Sequence, residues 1–161
     1  GLVGSEMCIR DRIYKDLIQL DMEAADTDDF FDKMAAKLEE LGFVKSSFVD
    51  AIKTREKNFP TALAVEPYPV AIPHADPEHI LKPFIAPVRL KEPVKWCEMA
   101  ANDVEHDVKF IFMLGFKRSD EHVELLQILV ANFQDESLME RLMDAKTKEE
   151  YMEAILSMEG L

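Results

Sequence analysis

Apolar positions along the chain fall into two rhythms. Between Asp26 and Gly42, the residues Phe30, Phe31, Met34, Ala35, Leu38 and Leu41 recur at three- and four-residue steps, the stripe of an amphipathic helix. Asp26 or Thr27 can cap its start, and Gly42 can end it. A second helix is predicted from Ser46 or Ser47, with Phe48, Ile52 and Phe59 on one face. The period then shortens. "TALAV" and "PVAIP" predict short strands around a turn at "EPYP", and "FIAPVRL" and "PVKW" predict two more. "DVKFIFMLGF" is the strongest strand, and its unbroken apolar run from Phe110 to Phe116 predicts burial on both faces. A long helix from Glu121 to about Phe133 follows, then shorter ones around Glu136 to Ala145 and Lys148 to Met158. Near the start, "IYKDLIQLDMEA" reads as a strand or edge segment. Helices first, strands in the middle and helices last predict an α/β fold, a single-domain sandwich of a mixed β-sheet flanked by helices.

Composition narrows the class. A chain of 161 residues with 48% hydrophobic content has enough material for one domain with a real core. No apolar run approaches the roughly 20 residues of a membrane helix, and no basic-then-apolar secretory signal opens the chain. Acidic residues outnumber basic ones 32 to 19, for a net charge of −13. Such a surface repels phosphate backbones and anionic lipid, so nucleic acid and direct membrane insertion are set aside. The two cysteines, Cys8 and Cys97, form no metal-like cluster and suit a reduced cytoplasm.

The opening "GLVGSEMCIRDR" has no helical or strand period. Translated in one frame, a common transposase sequencing adapter gives Leu-Val-Gly-Ser-Glu-Met-Cys-Ile-Arg-Asp, which is Leu2 to Asp11. The flanking partial codons permit Gly1 and Arg12. Residues 1–12 are therefore read as a translated adapter, residues 13–161 as the domain, and the natural start as lost before Ile13.

Several chemistries have no material here. Five glycines supply neither a Walker loop nor a dinucleotide fingerprint, and no HExxH, paired CxxC or Gly-x-Ser-x-Gly occurs. What remains is histidine. "YPVAIPHADPEHI" places His74 after a proline at the end of an apolar strand. Pro73 fixes φ and donates no hydrogen bond, which suits a chain leaving a sheet. On the residues alone, His74 is either a half-exposed ring closing a strand or a neutral nucleophile with one nitrogen held by a hydrogen bond. Arg55 falls on the apolar stripe of the second helix, so its guanidinium either seeks an anion or snorkels out at the helix end. His122 follows Ser119 and Asp120, both able to cap, and so falls in a first helical turn, where free N–H groups favour anions. His79 and His106, the latter in the acidic stretch "NDVEHD" read as a loop, are expected to be solvated.

"VAIPHA" resembles the phosphorylation site of the enzyme IIA domains of the phosphoenolpyruvate-dependent sugar phosphotransferase system, in the fructose/mannitol superfamily. Three more markers occur in the family's order: "REKNFPTAL" with Arg55, "SDEHVELLQIL" with His122, and "DESLMERL". The resemblance covers about Asp21 to Met158 and is most similar to the galactitol-type branch, although Pro67 stands where the superfamily often has Gly or Ala. It implies a cytoplasmic phosphocarrier in which His74 accepts a phosphoryl group, with Arg55 and His122 stabilising it and no metal or diffusible cofactor. The implied donor is the phosphohistidine of the carrier protein HPr. The implied acceptor is the cysteine of an enzyme IIB, which phosphorylates a sugar or polyol entering through a membrane enzyme IIC. Cys97 sits in "KWCEMA", not in a phosphate-cradling loop, so IIB and IIC are expected on other chains. The alternative is a regulatory IIA-like phosphoacceptor that reports phosphorylation state to a binding partner.

Overall fold

The computed structural model of the protein describes residues 8–118, 120 and 122–161. Ser119 as a cap, Glu121 as the first residue of its helix and the first seven residues of the adapter reading lie outside these. The framework is a long antiparallel hairpin of β4 (Phe84–Glu98) and β5 (Ala101–Gly115). β1 (Gln19–Met22) lies parallel beside β4, and β3 (Val70–Ala71) lies parallel beside β5. β2 (Ala62–Leu63) pairs antiparallel with β3 and touches β4 at Glu98, completing a mixed five-stranded sheet.

Alternation along the hairpin builds two cores. Phe84, Ala86, Val88 and Leu90 of β4, with Ile111 and Met113 of β5, face α1 (Thr27–Glu40) and α2 (Phe48–Asn58). Ile85 of β4, with Phe110, Phe112 and Leu114 of β5, faces α3 (His122–Phe133), α4 (Glu136–Asp144) and α5 (Lys148–Leu156). The continuous apolar run of β5 is thus covered on both faces, as a strand between two helical layers must be. The expected sandwich is the observed fold. Asp26 caps α1 by accepting from Asp29 N–H, and Gly42, at φ 83°, takes the left-handed conformation that ends it. Among the described residues, no helix is long and apolar enough to cross a membrane.

Three local expectations need correction. The two strands expected at "FIAPVRL" and "PVKW" are one, β4, whose pairing register shifts between Arg89 and Val94. Polar Lys91 and Glu92 face solvent there and interrupt the apolar pattern without interrupting the strand. The acidic "NDVEHD" is not a loop: it is the outer half of β5, where Asp107 pairs with Lys95 and Glu105 with Cys97 in the ladder. Finally, Phe59 does not continue the apolar face of α2. The helix ends at Asn58 because Pro60 disfavours a helical residue before it, and Phe59, at φ −136° and ψ 81°, is 63% exposed.

One buried cation was not foreseen. Arg89, only 5% exposed, donates through Nη1 to the carbonyls of Leu142, Met143 and Ala145, closing the C-terminal end of α4. Residues 8–12 also touch the fold: Arg12 is buried, and Arg10 donates to the Leu156 carbonyl at 2.9 Å.

The end of β5 is set by a close approach. Gly115 pairs with Phe84, and a Cβ at that position would collide with the phenyl ring. Phe84 is fully buried and packs edge-on against Phe43 and Phe48, so moving it disturbs both contacts. Gly115→Ala should therefore lower stability by about 1–3 kcal/mol, the usual cost of overpacking, measurable as a lower denaturant midpoint at unchanged slope.

Candidate functional site

After β3 the chain continues along β5 rather than turning away. Leu114 N–H donates to the Pro73 carbonyl at 3.0 Å, and His74 forms a parallel bridge with Leu114. Pro73 has no N–H to leave unpaired, so the strand can end there without cost. His74 is half-buried at this strand end. Its Nδ1 lies 2.9 Å from the Ile72 carbonyl oxygen. A carbonyl only accepts, so in the neutral ring Nδ1 carries the hydrogen and the lone pair sits on Nε2.

Burial holds the His74 pKa below the ordinary histidine value, and the charges of Arg55 and His122 lower it further. The bond to Ile72 and the Asp76 carboxylate push the other way and do not win. The ring is neutral at pH 7, with its Nε2 lone pair available.

His122 begins α3 and stands almost parallel to His74, with ring centroids 6.4 Å apart and planes 25° apart. Phe116, just beyond β5, contacts both imidazoles, at 5.8 Å from His74 and 5.7 Å from His122. Its phenyl ring forms an apolar wall that lowers the polarity around the pair.

Arg55 comes from the last turn of α2. Its guanidinium lies over the Phe59 ring at 5.5 Å and 3.9 Å from the Asp76 carboxylate, while its buried Nε has no hydrogen-bond partner. The exposed Phe59 therefore acts as a platform for the arginine, a role its expected place in the core would have excluded. The 3.9 Å pair is loose and more than half open to solvent at Asp76, so it holds Arg55 weakly and can yield to a stronger anion.

The fold thus gathers His74, His122 and Arg55 from a strand end, a helix start and a helix end. An anion beside His74 Nε2 would meet one permanent cation and a second imidazole able to donate. His79 and His106 lie elsewhere, and neither is free in solvent. His79 is 20% exposed and pairs through Nδ1 with Ser47 Oγ at 2.8 Å, while His106 Nε2 meets Glu98 Oε1 at 2.7 Å. The described residues contain no group of three His, Cys, Asp or Glu side chains placed to hold a metal ion. Cys97 is partly covered, and burial pushes its thiol pKa up, away from the thiolate.

Sequence reasoning missed Asp76, Phe116 and Glu56. Asp76 and Phe116 lie inside recognised segments, but Phe116 read only as the end of a buried apolar run and Asp76 only as part of a turn. Glu56 could have been suspected, because an acid beside Arg55 in the closing turn of a helix opposes the helix dipole.

The family model described as phosphoenolpyruvate-dependent sugar phosphotransferase system, EIIA 2, matches residues 12–158. The galactitol-specific EIIA component of Escherichia coli K12 is 25% identical over 118 residues, which cover 71% of this chain and 78% of that protein. The mannitol-specific EIICBA component of Escherichia coli K12 is 28% identical over 117 residues, 71% of this chain but only 17% of that longer protein. Among solved structures, the nitrogen regulatory protein IIA-Ntr from Neisseria meningitidis superposes with a TM-score of 0.72 at 26% identity, over 91% of this chain and 98% of that one. This chain belongs to the EIIA 2 family of the phosphoenolpyruvate-dependent sugar phosphotransferase system.

Proposed function

We propose that this chain is a cytoplasmic phosphocarrier, taking a phosphoryl group from phospho-HPr on His74 and passing it to the cysteine of an enzyme IIB on another chain. The observation that carries this reading is the His74 ring, fixed at Nδ1 by the Ile72 carbonyl and set beside Arg55 and His122. The Nε2 lone pair attacks phosphorus in line, the bond from phosphorus to the donor's imidazole nitrogen breaks, and its electron pair stays on the donor ring. Proton transfer at Nδ1 is not needed during this step. Transfer of this kind depends on positioning and on charge placed where the phosphoryl oxygens pass. Arg55 supplies a planar fork of donors, and His122 an N–H at the start of α3. Onward transfer to IIB serves uptake of a sugar or polyol through a membrane IIC.

Incubation with phosphoenolpyruvate, enzyme I and HPr tests the proposal. The chain should gain one acid-labile, base-stable phosphate and lose it to IIB. Failure to accept phosphate under conditions that phosphorylate HPr would end this reading.

The pKa of His74 gives a second expectation. Protonation at Nε2 removes the nucleophile, and the folded-state pKa lies below the ordinary 6.5. The acceptance rate should therefore fall with pH along a titration whose midpoint lies below 6.5. A midpoint above 6.5 for the His74 step would contradict the burial argument.

The likeness to IIA-Ntr supports a second reading, a regulatory phosphoacceptor that binds a partner according to its phosphorylation state. The two readings part at the last step: a carrier empties onto IIB, and a regulator keeps its phosphate. We further propose that residues 1–12 are adapter-encoded, although Arg10 and Arg12 contact the fold. Sequencing the native gene across the Ile13 codon decides this.

A further inference from the structure

We propose that Glu56 is a positioning residue for His74, acting through a chain of hydrogen bonds that runs through Thr61 and Ile72 to the imidazole Nδ1; this rests on His74 being the phosphoryl acceptor. The links are continuous. Glu56 Oε2 accepts from Thr61 N–H at 2.6 Å, and Oε1 accepts from Thr61 Oγ1–H at 2.7 Å. The Thr61 carbonyl accepts from Ile72 N–H at 3.2 Å, and the Ile72 carbonyl accepts from His74 Nδ1–H at 2.9 Å.

Successive links join through Cα atoms rather than across one peptide plane, so the chain passes on position rather than charge. Position is what the acceptor needs. The direction of the Ile72 carbonyl selects the tautomer and aims Nε2, and that carbonyl is set by how β3 sits against the segment entering β2. The β2–β3 ladder has only two residue pairs, Ala62 with Ala71 and Leu63 with Val70. A ladder that short is weakly registered by itself. The two-pronged grip of Glu56 on Thr61 anchors one side of it, and the pairing of β3 with β5 anchors the other.

The choice of residue is physically costly, which argues for more than filling space. Glu56 is 8% exposed and lies at the C-terminal turn of α2, where the helix dipole disfavours an anion. Burial pushes its pKa up to about 7 despite the two bonds from Thr61. The same turn also carries Arg55. One end of α2 therefore serves both sides of the acceptor, with Arg55 toward the incoming phosphoryl group and Glu56 behind the ring.

The test compares wild type, Glu56→Gln, Glu56→Asp and Glu56→Met by two readouts. The first is the rate of phosphoryl acceptance from phospho-HPr, separated into kcat and KM. The second is the 15N spectrum of the unphosphorylated His74 ring, which reports tautomer without any phosphate. Glutamine can accept from Thr61 N–H and donate to Thr61 Oγ1, so Glu56→Gln should stay within about twofold of wild type on both readouts. Methionine fills the volume without accepting. Glu56→Met should lose on the order of tenfold in kcat with KM unchanged, and should mix in the Nε2–H tautomer. Glu56→Asp keeps the charge but withdraws it by one methylene, so it should fall between them.

Wild-type kcat and tautomer in Glu56→Met would overturn the proposal. If Glu56→Met does not fold, Glu56→Asp decides by the same criteria. If wild type itself takes up no phosphate at His74, the functional reading fails, while the tautomer spectra still judge the hydrogen-bond chain.

Discussion

His74→Ala will take up no phosphate from phospho-HPr and will keep its fold. The loss should be complete rather than partial, because His74 is the ring whose Nδ1 is held by the Ile72 carbonyl, which leaves Nε2 as the nucleophile under the charge of Arg55. His122 is the nearest rival, 6.4 Å away between ring centroids, while His79 and His106 are engaged with Ser47 and Glu98. The fold should survive because the ring is half-exposed and the strand end is held by backbone, through Leu114 N–H on the Pro73 carbonyl. Removing the ring costs one hydrogen bond, on the order of 1 kcal/mol, and its loss also frees the Ile72 carbonyl to meet water. Phosphate uptake by radiolabel and a denaturant midpoint on the same preparation measure both halves. Uptake at the wild-type rate would move the acceptor elsewhere.

Arg55→Ala and His122→Ala will still accept phosphate at His74, but slowly. Each removes one preorganised donor from the path of the phosphoryl oxygens, a change expected to cost ten- to a thousandfold in rate, on the order of 1.4–4 kcal/mol. If both groups hold the same oxygens, the double variant should lose less than the sum of the two. Arg55→Lys should recover little, because an ammonium lacks the planar fork and the stacking on Phe59. His122→Gln should recover more than His122→Ala, because it keeps a donor of similar reach. Equal losses for the two His122 variants would assign that ring to packing against Phe116 instead.

These expectations rest partly on what the amino-acid pattern already shows. α1 was legible because its apolar stripe, its Asp26 cap and its Gly42 stop all agree, and each is a local signal. The inner half of β5 was legible because burial on both faces leaves an unbroken apolar run. Its outer half was not. From Ala101 to Asp107 the strand is held by pairing with β4 across a mostly wet face, and pairing leaves no hydrophobic period to read. The join across Lys91 to Pro93 was hidden for the same reason.

The candidate site divides in the same way. His74 announced itself by Pro73 and the strand before it, and Arg55 by a charge on an apolar stripe. Phe59 misled because the helix was extended one residue too far, into the position before Pro60. Glu56 left one weak sign, an acid in the closing turn of a helix, and its grip on Thr61 left none. An acid on a helix looks solvated until Thr61, five residues on, is seen to fold back onto it in the interior.

The most direct test of the central claim is where the phosphorus goes in the wild-type chain. Protein with 15N-labelled histidine, phosphorylated through enzyme I and HPr, should show phosphorus bonded to Nε2 of His74, with Nδ1 still carrying its hydrogen toward the Ile72 carbonyl. Phosphorus on His122, or on Nδ1 of His74, would contradict it.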